Sequence, residues 1–228
     1  MSEHVRPTPT QLTIAVVCLA VVLAGAFIAA RATLQEKTFS LSPPAAKGSQ
    51  TIPGPDATEA QRLDLHRTFY TAWAALLLVI PALSLFPLRR SSSKAAGYWL
   101  AFWSASLVAF AVHLYWAVVV FFEGDWSEIM NTTRVSAPVI DTVFAIWWAI
   151  DVLLAWTLPT ETRVVRIQRA IVHLLAFVLF VAGAAIEGET GLSRALGYIL
   201  AAAVTISIVV WIGQWRRRRT LRAAPVTE

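Results

Sequence analysis

The sequence predicts an all-α, polytopic transmembrane helical bundle with six spans and both termini cytoplasmic. Three observations carry that expectation. Six long apolar runs fill most of the 228 residues, 57% of the chain is hydrophobic, and only 14% is charged, where ordinary soluble domains carry about 25% charged residues. A helix needs roughly 20 apolar residues to cross a hydrocarbon core of about 30 Å. No water pairs exposed backbone groups there, so such runs must be helical. Residues 1–228 read as one transmembrane domain, because too little sequence lies outside the runs to build a soluble one.

The first run, residues 12–30, ends in small residues (Ala24, Gly25, Ala26), as a cleavable secretory signal does. It is longer than the usual 7–15 apolar residues, and Glu3 offsets Arg6 ahead of it, so it reads as a retained span. It also holds the single cysteine, Cys18, which rules out an intrachain disulfide. Residues 31–68 form the one sizeable polar segment, an extracytoplasmic loop. Ser42-Pro43-Pro44 and Pro53-Gly54-Pro55 punctuate it, and from Asp56 an acidic helix start predicts a short amphipathic helix over 57–67. The second span, 69–88, contains Pro81, which should bend it and free a carbonyl one turn earlier. Spans at 97–122, 138–158, 170–186 and 192–215 follow with short connections, so adjacent helices should be antiparallel neighbours. Small residues at Gly25/Ala29, Gly183 and Gly197/Ala201 predict close helix approach.

Basic residues set the orientation. Arg6, Arg89, Arg90, Lys94, Arg163, Arg166, Arg169, Arg216–Arg219 and Arg222 fall on the side assigned to the cytoplasm. The short connections on the other side carry only Arg134 and Arg194, and the long first loop adds Arg31, Lys37, Lys47, Arg62 and Arg67. The excess in short loops and the final tail places both termini inside. The same distribution explains the net charge of +5 without a nucleic-acid partner. The expected partner is the bilayer itself, in a bacterial inner (plasma) membrane.

Ionisable groups inside spans cost a few kcal/mol and usually face a bundle interior, which makes them functional candidates. His113, Asp141, Asp151 and His173 qualify. At about 100° per residue, Asp141, Phe144, Trp148 and Asp151 share one narrow stripe of the fourth span, with its carboxylates roughly 15 Å apart along the axis. The stripe should face protein or a cavity. By depth, His66, His113 and Asp141 form an outer group, with donor types suited to zinc, copper or iron but no diagnostic spacing. Asp151 and His173 form an inner pair, with Arg169 one turn before His173 as the alternative partner of Asp151. Each of these groups also has a structural reading: helix-pinning hydrogen bonds, a helix cap at Asp141, or a carbonyl partner for His113. No two histidines match in depth well enough to hold a haem between them, and no particular cofactor is indicated.

Tyr98, Trp99, Trp156, Trp211 and Trp215 sit at inner interfacial levels and Trp126 at an outer one, as belt aromatics do. Trp147 and Trp148 lie mid-span, as packing elements or the wall of a pocket. Glu123, Asp125, Glu128, Glu187 and Glu189 make the outer mouth acidic, which concentrates cations. Asn131-Thr132-Thr133 has the form of a glycosylation acceptor, relevant only in a eukaryotic secretory compartment.

Three functions remain open from sequence. The first is a bundle that handles a cation, proton or small solute along Asp141, Trp148, Asp151 and His173. The second is a non-catalytic membrane subunit that docks a membrane or extracytoplasmic protein at its outer face. The third is a metal- or haem-dependent redox protein centred on His66, His113 and Asp141. No catalytic motif is present, and the balance leans away from an enzyme.

Overall fold

Two Thr-x-x-Gln sequences start the first two helices by the same device. In the computed structural model, which describes residues 6–34, 58–131, 137–188 and 190–223, Thr8 and Thr58 each accept from the backbone N–H of the residue three ahead. Gln11 and Gln61 each reach back to the cap's own N–H. Such reciprocal boxes satisfy two donors that a helix start leaves without partners. They open α1 (Pro9–Ala32) and α2 (Glu59–Leu85). Ser92 caps α3 (Ser93–Leu114) and Thr162 caps α6 (Arg163–Val181). A short α4 (Trp126–Asn131) precedes α5 (Pro138–Thr157), and α7 (Gly191–Ala223) ends the described chain.

Six of these helical stretches are long and apolar enough to cross a membrane, and no strand occurs among the described residues. The protein is an all-helical integral membrane protein. The helical segment expected to lead into the second span is continuous with it: α2 runs unbroken from Glu59 and already buries Leu65 and His66. Most of the first loop (35–57), Glu189 and the Asn131-Thr132-Thr133 sequence beyond Asn131 lie outside the described residues.

α2 is the central post. Half of its apolar window is buried inside the bundle, against 11% for α1. Trp73, Leu76 and Val79 of α2 meet Trp99, Leu100 and Trp103 of α3, Phe144 and Trp148 of α5, Val172 and Ala176 of α6, and Leu196, Leu200 and Val204 of α7. α1 lies on the outside, joined through a second cluster of Ala15 with Ala75 and Leu78 of α2 and Ala101, Ala105 and Ala109 of α3. The alanines let backbones approach where no hydrophobic drive separates helix from lipid. Gln11 fixes this joint at one end by donating to the Lys94 carbonyl at 3.1 Å.

The expected small-residue contacts divide. At Gly25 an added Cβ would meet nothing within 4 Å, because Ala15, Ala26 and Ala30 make the buried face of α1 instead. At Gly197 a Cβ would fall 2.6 Å from the backbone N of Ala185, so α7 does depend on that glycine. Ser207 adds a hydroxyl bond to the Ser84 carbonyl that ties α7 to α2. On α5, the row Val139, Ile140, Val143, Ile146, Ile150 and Leu153 is exposed, opposite the buried stripe. That row is the lipid face.

Candidate functional site

Two features occupy the middle of the bundle, stacked along the fourth-span stripe. Toward the end that carries the arginines is a buried ion network. Asp151 is fully buried, a placement that a carboxylate tolerates only when paired. Its Oδ1 accepts from Arg169 Nε at 3.0 Å and its Oδ2 from Trp103 Nε1 at 2.9 Å. Arg169 also donates from Nη1 to Glu161 Oε1 at 3.0 Å, the same oxygen that receives Arg89 Nη2 at 3.0 Å. Arg90 Nη2 reaches Glu161 Oε2 at 2.8 Å, and Arg166 Nε approaches that oxygen at 3.8 Å. Glu161 thus joins the turn after α2 (Pro87–Arg90, a 3₁₀ turn) to the start of α6. Burial works to raise its carboxyl, but the guanidinium groups of Arg89, Arg90 and Arg169 hold it below the usual range.

His173 belongs to this layer without touching Asp151. Its Nδ1 lies 2.8 Å from the Arg169 carbonyl, which can only accept, so Nδ1 carries the proton. Its Nε2 then accepts from Trp99 Nε1 at 2.9 Å. The ring stacks between Phe86 and Trp103, with centroids 3.8 and 4.0 Å away. Both nitrogens are spent and the imidazole is neutral. Of the two partners expected for Asp151, the structure selects Arg169. Trp99 is not a belt residue: it is 5% exposed and orients His173. Trp156, expected at the same interface, donates to Ser104 Oγ at 2.9 Å across α3 and α5.

Beyond this layer lies an aromatic floor. Trp148 rests on Trp103 at 4.5 Å and is flanked by Phe110, Phe144 and Phe180. Its indole N–H is buried with no partner among the described residues. Above the floor opens a cavity of about 750 Å³. Leu76, Trp73, Phe110, Phe144 and Phe180 line its depth, and Thr68, His113, Asp141, Thr142, Glu187 and Ser193 supply its polar groups. Two helices widen into π-helical turns where they border it, Tyr115–Phe121 after α3 and Ala182–Ile186 after α6. Such turns are frequent at functional sites, and here each forms the last turns of its helix, before the caps Phe122 and Glu187.

The cavity also reaches the membrane side. Around α5 its wall includes Phe144, Ala145 and Ile146. At about 100° per residue, Ile146 stands nearly opposite Phe144 and belongs to the exposed lipid-facing row. The space therefore wraps around the edge of α5 at Ala145 and faces Tyr115 and Val119 of the first π-helical turn, both lining residues and both exposed.

The stripe is buried as the sequence predicts at Phe144, Trp148 and Asp151, but it is divided. Asp141 and Phe144 wall the cavity, whereas Trp148 and Asp151 lie outside that lining. α5 starts without a side-chain cap, so Asp141 does not serve as one. The expected outer metal group does not assemble. Among the described residues no three His, Cys, Asp or Glu side chains come together to hold an ion. His66 sits at the α1–α2 joint, its Nδ1 3.2 Å from the Thr33 hydroxyl. His113 spends Nδ1 on the Thr68 carbonyl at 3.0 Å, and of the other two expected ligands Asp141 shares the cavity with it and His66 does not. Fixed partners on two different helix joints hold the histidines apart.

No family model matches the chain, and neither a curated protein nor a solved structure is significantly similar to it. Sequence reasoning missed Arg89, Glu161, Trp99 and Trp103 as members of the buried layer. One signal was available: Glu161 is the only acidic residue between Asp151 and Glu187, set among Arg163, Arg166 and Arg169.

Proposed function

We propose that this membrane protein binds a small amphipathic solute in the cavity above the aromatic floor. The solute would have an apolar body and a cationic or donor-bearing head. The observation that carries the reading is the cavity itself: about 750 Å³ falls within the roughly 300–1,000 Å³ of small-molecule sites. Its polar groups favour such a head. Asp141 and Glu187 are carboxylates, and the tautomer fixed by Thr68 leaves His113 Nε2 as an acceptor. The gap beside Ala145 gives a route from the lipid. Binding of a small solute fits better than conduction along the whole stripe, because Trp148, Trp103 and the Asp151–Arg169 pair fill the bundle below the cavity. The proposal includes the arginine-rich end facing the cytoplasm, supported by the bias in short loops, and residence in a bacterial inner membrane.

Gly183 provides the test. It lines the cavity, and an added Cβ there meets nothing within 4 Å, so Gly183→Phe should fill the site without disturbing packing. The probe is a fluorescent alkyl-trimethylammonium, titrated into protein in phosphatidylcholine nanodiscs and followed by energy transfer from tryptophan. Wild type should show saturable transfer. Asp141→Asn should weaken binding by about tenfold, equivalent to 1.4 kcal/mol, and Gly183→Phe should abolish saturation. Indistinguishable titrations for wild type and Gly183→Phe would overturn the reading.

A further inference from the structure

The charges around Glu161 do not balance. Four guanidinium groups (Arg89, Arg90, Arg166 and Arg169) share two carboxylates, Glu161 and Asp151, which leaves a surplus of two positive charges. Position divides the four. Arg89 and Arg169 have side chains only 10% and 7% exposed, and both converge on Glu161 Oε1. With Glu161 and Asp151 they form a neutral, enclosed unit. Arg90 and Arg166 are 47% and 50% exposed and point at the other oxygen, Oε2, at 2.8 and 3.8 Å. The surplus therefore sits on two side chains held side by side at the boundary of the bundle.

Among the described residues, neither rim arginine is saturated. A guanidinium carries five N–H donors in a planar fork. Arg90 is seen to spend one nitrogen on Glu161, and Arg166 makes only the longer approach. Two half-exposed forks held against one carboxylate oxygen are prearranged for a tetrahedral oxyanion, which Arg binds bidentately. Two further features add positive potential. The first turn of α6 begins beside them at Arg163, with its Thr162 cap accepting from the Val165 N–H and the Arg166 N–H. At the other edge, Arg218 of α7 approaches the Ser91 carbonyl at 3.4 Å. Among the described residues, Glu161 is the carboxylate that these exposed arginines meet.

We propose that Arg90 and Arg166, held together by Glu161, form a binding site for a phosphate group at the arginine-rich membrane boundary, independent of the cavity at the other end. The two sources of that chemistry are the phosphodiester of an anionic lipid headgroup and free phosphate. The site sits where helix ends meet the headgroup layer, and basic pockets between spans are known to take such headgroups.

The test uses the full chain in dodecyl maltoside, with native mass spectrometry to count bound phosphatidylglycerol and a competing titration with inorganic phosphate. Wild type should retain one phosphatidylglycerol more tightly than phosphatidylcholine. Arg90→Gln/Arg166→Gln should weaken that retention by about tenfold or more, the scale of losing charge-assisted hydrogen bonds. Arg6→Gln/Arg216→Gln removes the same charge from exposed positions elsewhere on the chain and should leave retention unchanged. Millimolar phosphate that displaces the lipid would identify free phosphate as an additional ligand of the site, and failure to displace it would identify the lipid headgroup alone. Equal weakening in both double variants would reduce the effect to general charge attraction and overturn the proposal, as would binding of neither phosphatidylglycerol nor phosphate. Both variants alter exposed side chains and leave the enclosed Arg89–Glu161–Arg169–Asp151 unit intact, and an unchanged melting temperature in phosphatidylcholine discs checks folding directly.

Discussion

Removing one member of the Asp151–Arg169 pair should reveal an asymmetry that the local geometry sets. In Arg169→Met, Asp151 keeps only the Trp103 N–H at 2.9 Å and stays fully buried. An ion stranded in this way costs about 3–5 kcal/mol. In Asp151→Asn, Arg169 keeps its 3.0 Å bond to Glu161, so the guanidinium is not left alone. The asparagine oxygen can satisfy either Arg169 or Trp103, while its NH₂ group meets the other donor. The loss is then that of one charge-assisted hydrogen bond, about 1.5–3 kcal/mol. The double variant removes both charges and should cost less than the two singles combined, with a coupling of about 1–3 kcal/mol. Reversible unfolding in mixed micelles, followed by far-UV circular dichroism, measures all four proteins. Two results would refute the reasoning: Asp151→Asn as costly as Arg169→Met, or single effects that add within about 0.5 kcal/mol.

Three further outcomes are expected. Glu161 is held below its ordinary value of 4.5, so its contribution to stability is fully present above that pH and disappears as pH falls through the lower folded value. Melting temperatures from about pH 7 to about pH 3 should drop less steeply for Glu161→Gln, which starts lower; parallel curves would exclude Glu161 as the titrating group. Gly197→Leu should destabilise by about 1–3 kcal/mol through overpacking, because its Cβ meets the Ala185 backbone at 2.6 Å, whereas Gly213→Leu on the same helix meets nothing within 4 Å and should be close to neutral. In a Cys18→Ala background, Ser127→Cys should react with an impermeant maleimide added outside intact cells and Ser92→Cys should not; labelling of Ser92→Cys would reverse the orientation.

The spans were legible because hydrocarbon imposes one backbone solution and one minimum length, and the structure bears out all six. Burial of Phe144, Trp148 and Asp151 was legible for a related reason, since a carboxylate that cannot face lipid fixes the rotation of its helix. What lay beyond the sequence were choices among neighbours. Asp151 had two partners at suitable depth, and only the packing of α5 on α6 shows that Arg169 reaches it while His173 turns to Trp99. Trp99 looked interfacial because its level was right; its direction, toward the core, depends on where α2 and α6 stand. The π-helical turns carry no composition signal of their own, so the cavity they widen was invisible. His66 and His113 were expected toward the same side by depth, yet they belong to different joints, and depth alone says nothing about azimuth around the bundle.

The ion network has a consequence for how the chain is made. Arg89 and Glu161 are 72 residues apart, whereas Asp151 and Arg169 are separated by only 18. At synthesis rates of about 5–20 residues per second, the first gap corresponds to roughly 4–14 seconds and the second to roughly 1–4 seconds. Arg89 and Arg90 are made two spans, α3 and α5, before the carboxylate that pairs with them. Asp151 cannot wait in the same way, since its place is inside the hydrocarbon. Its partner follows directly on α6, so α5 and α6 can enter as a hairpin with the charge already neutralised. The clasp of Arg89, Arg90 and Arg169 around Glu161 can therefore close only after α5 and the start of α6 have been made.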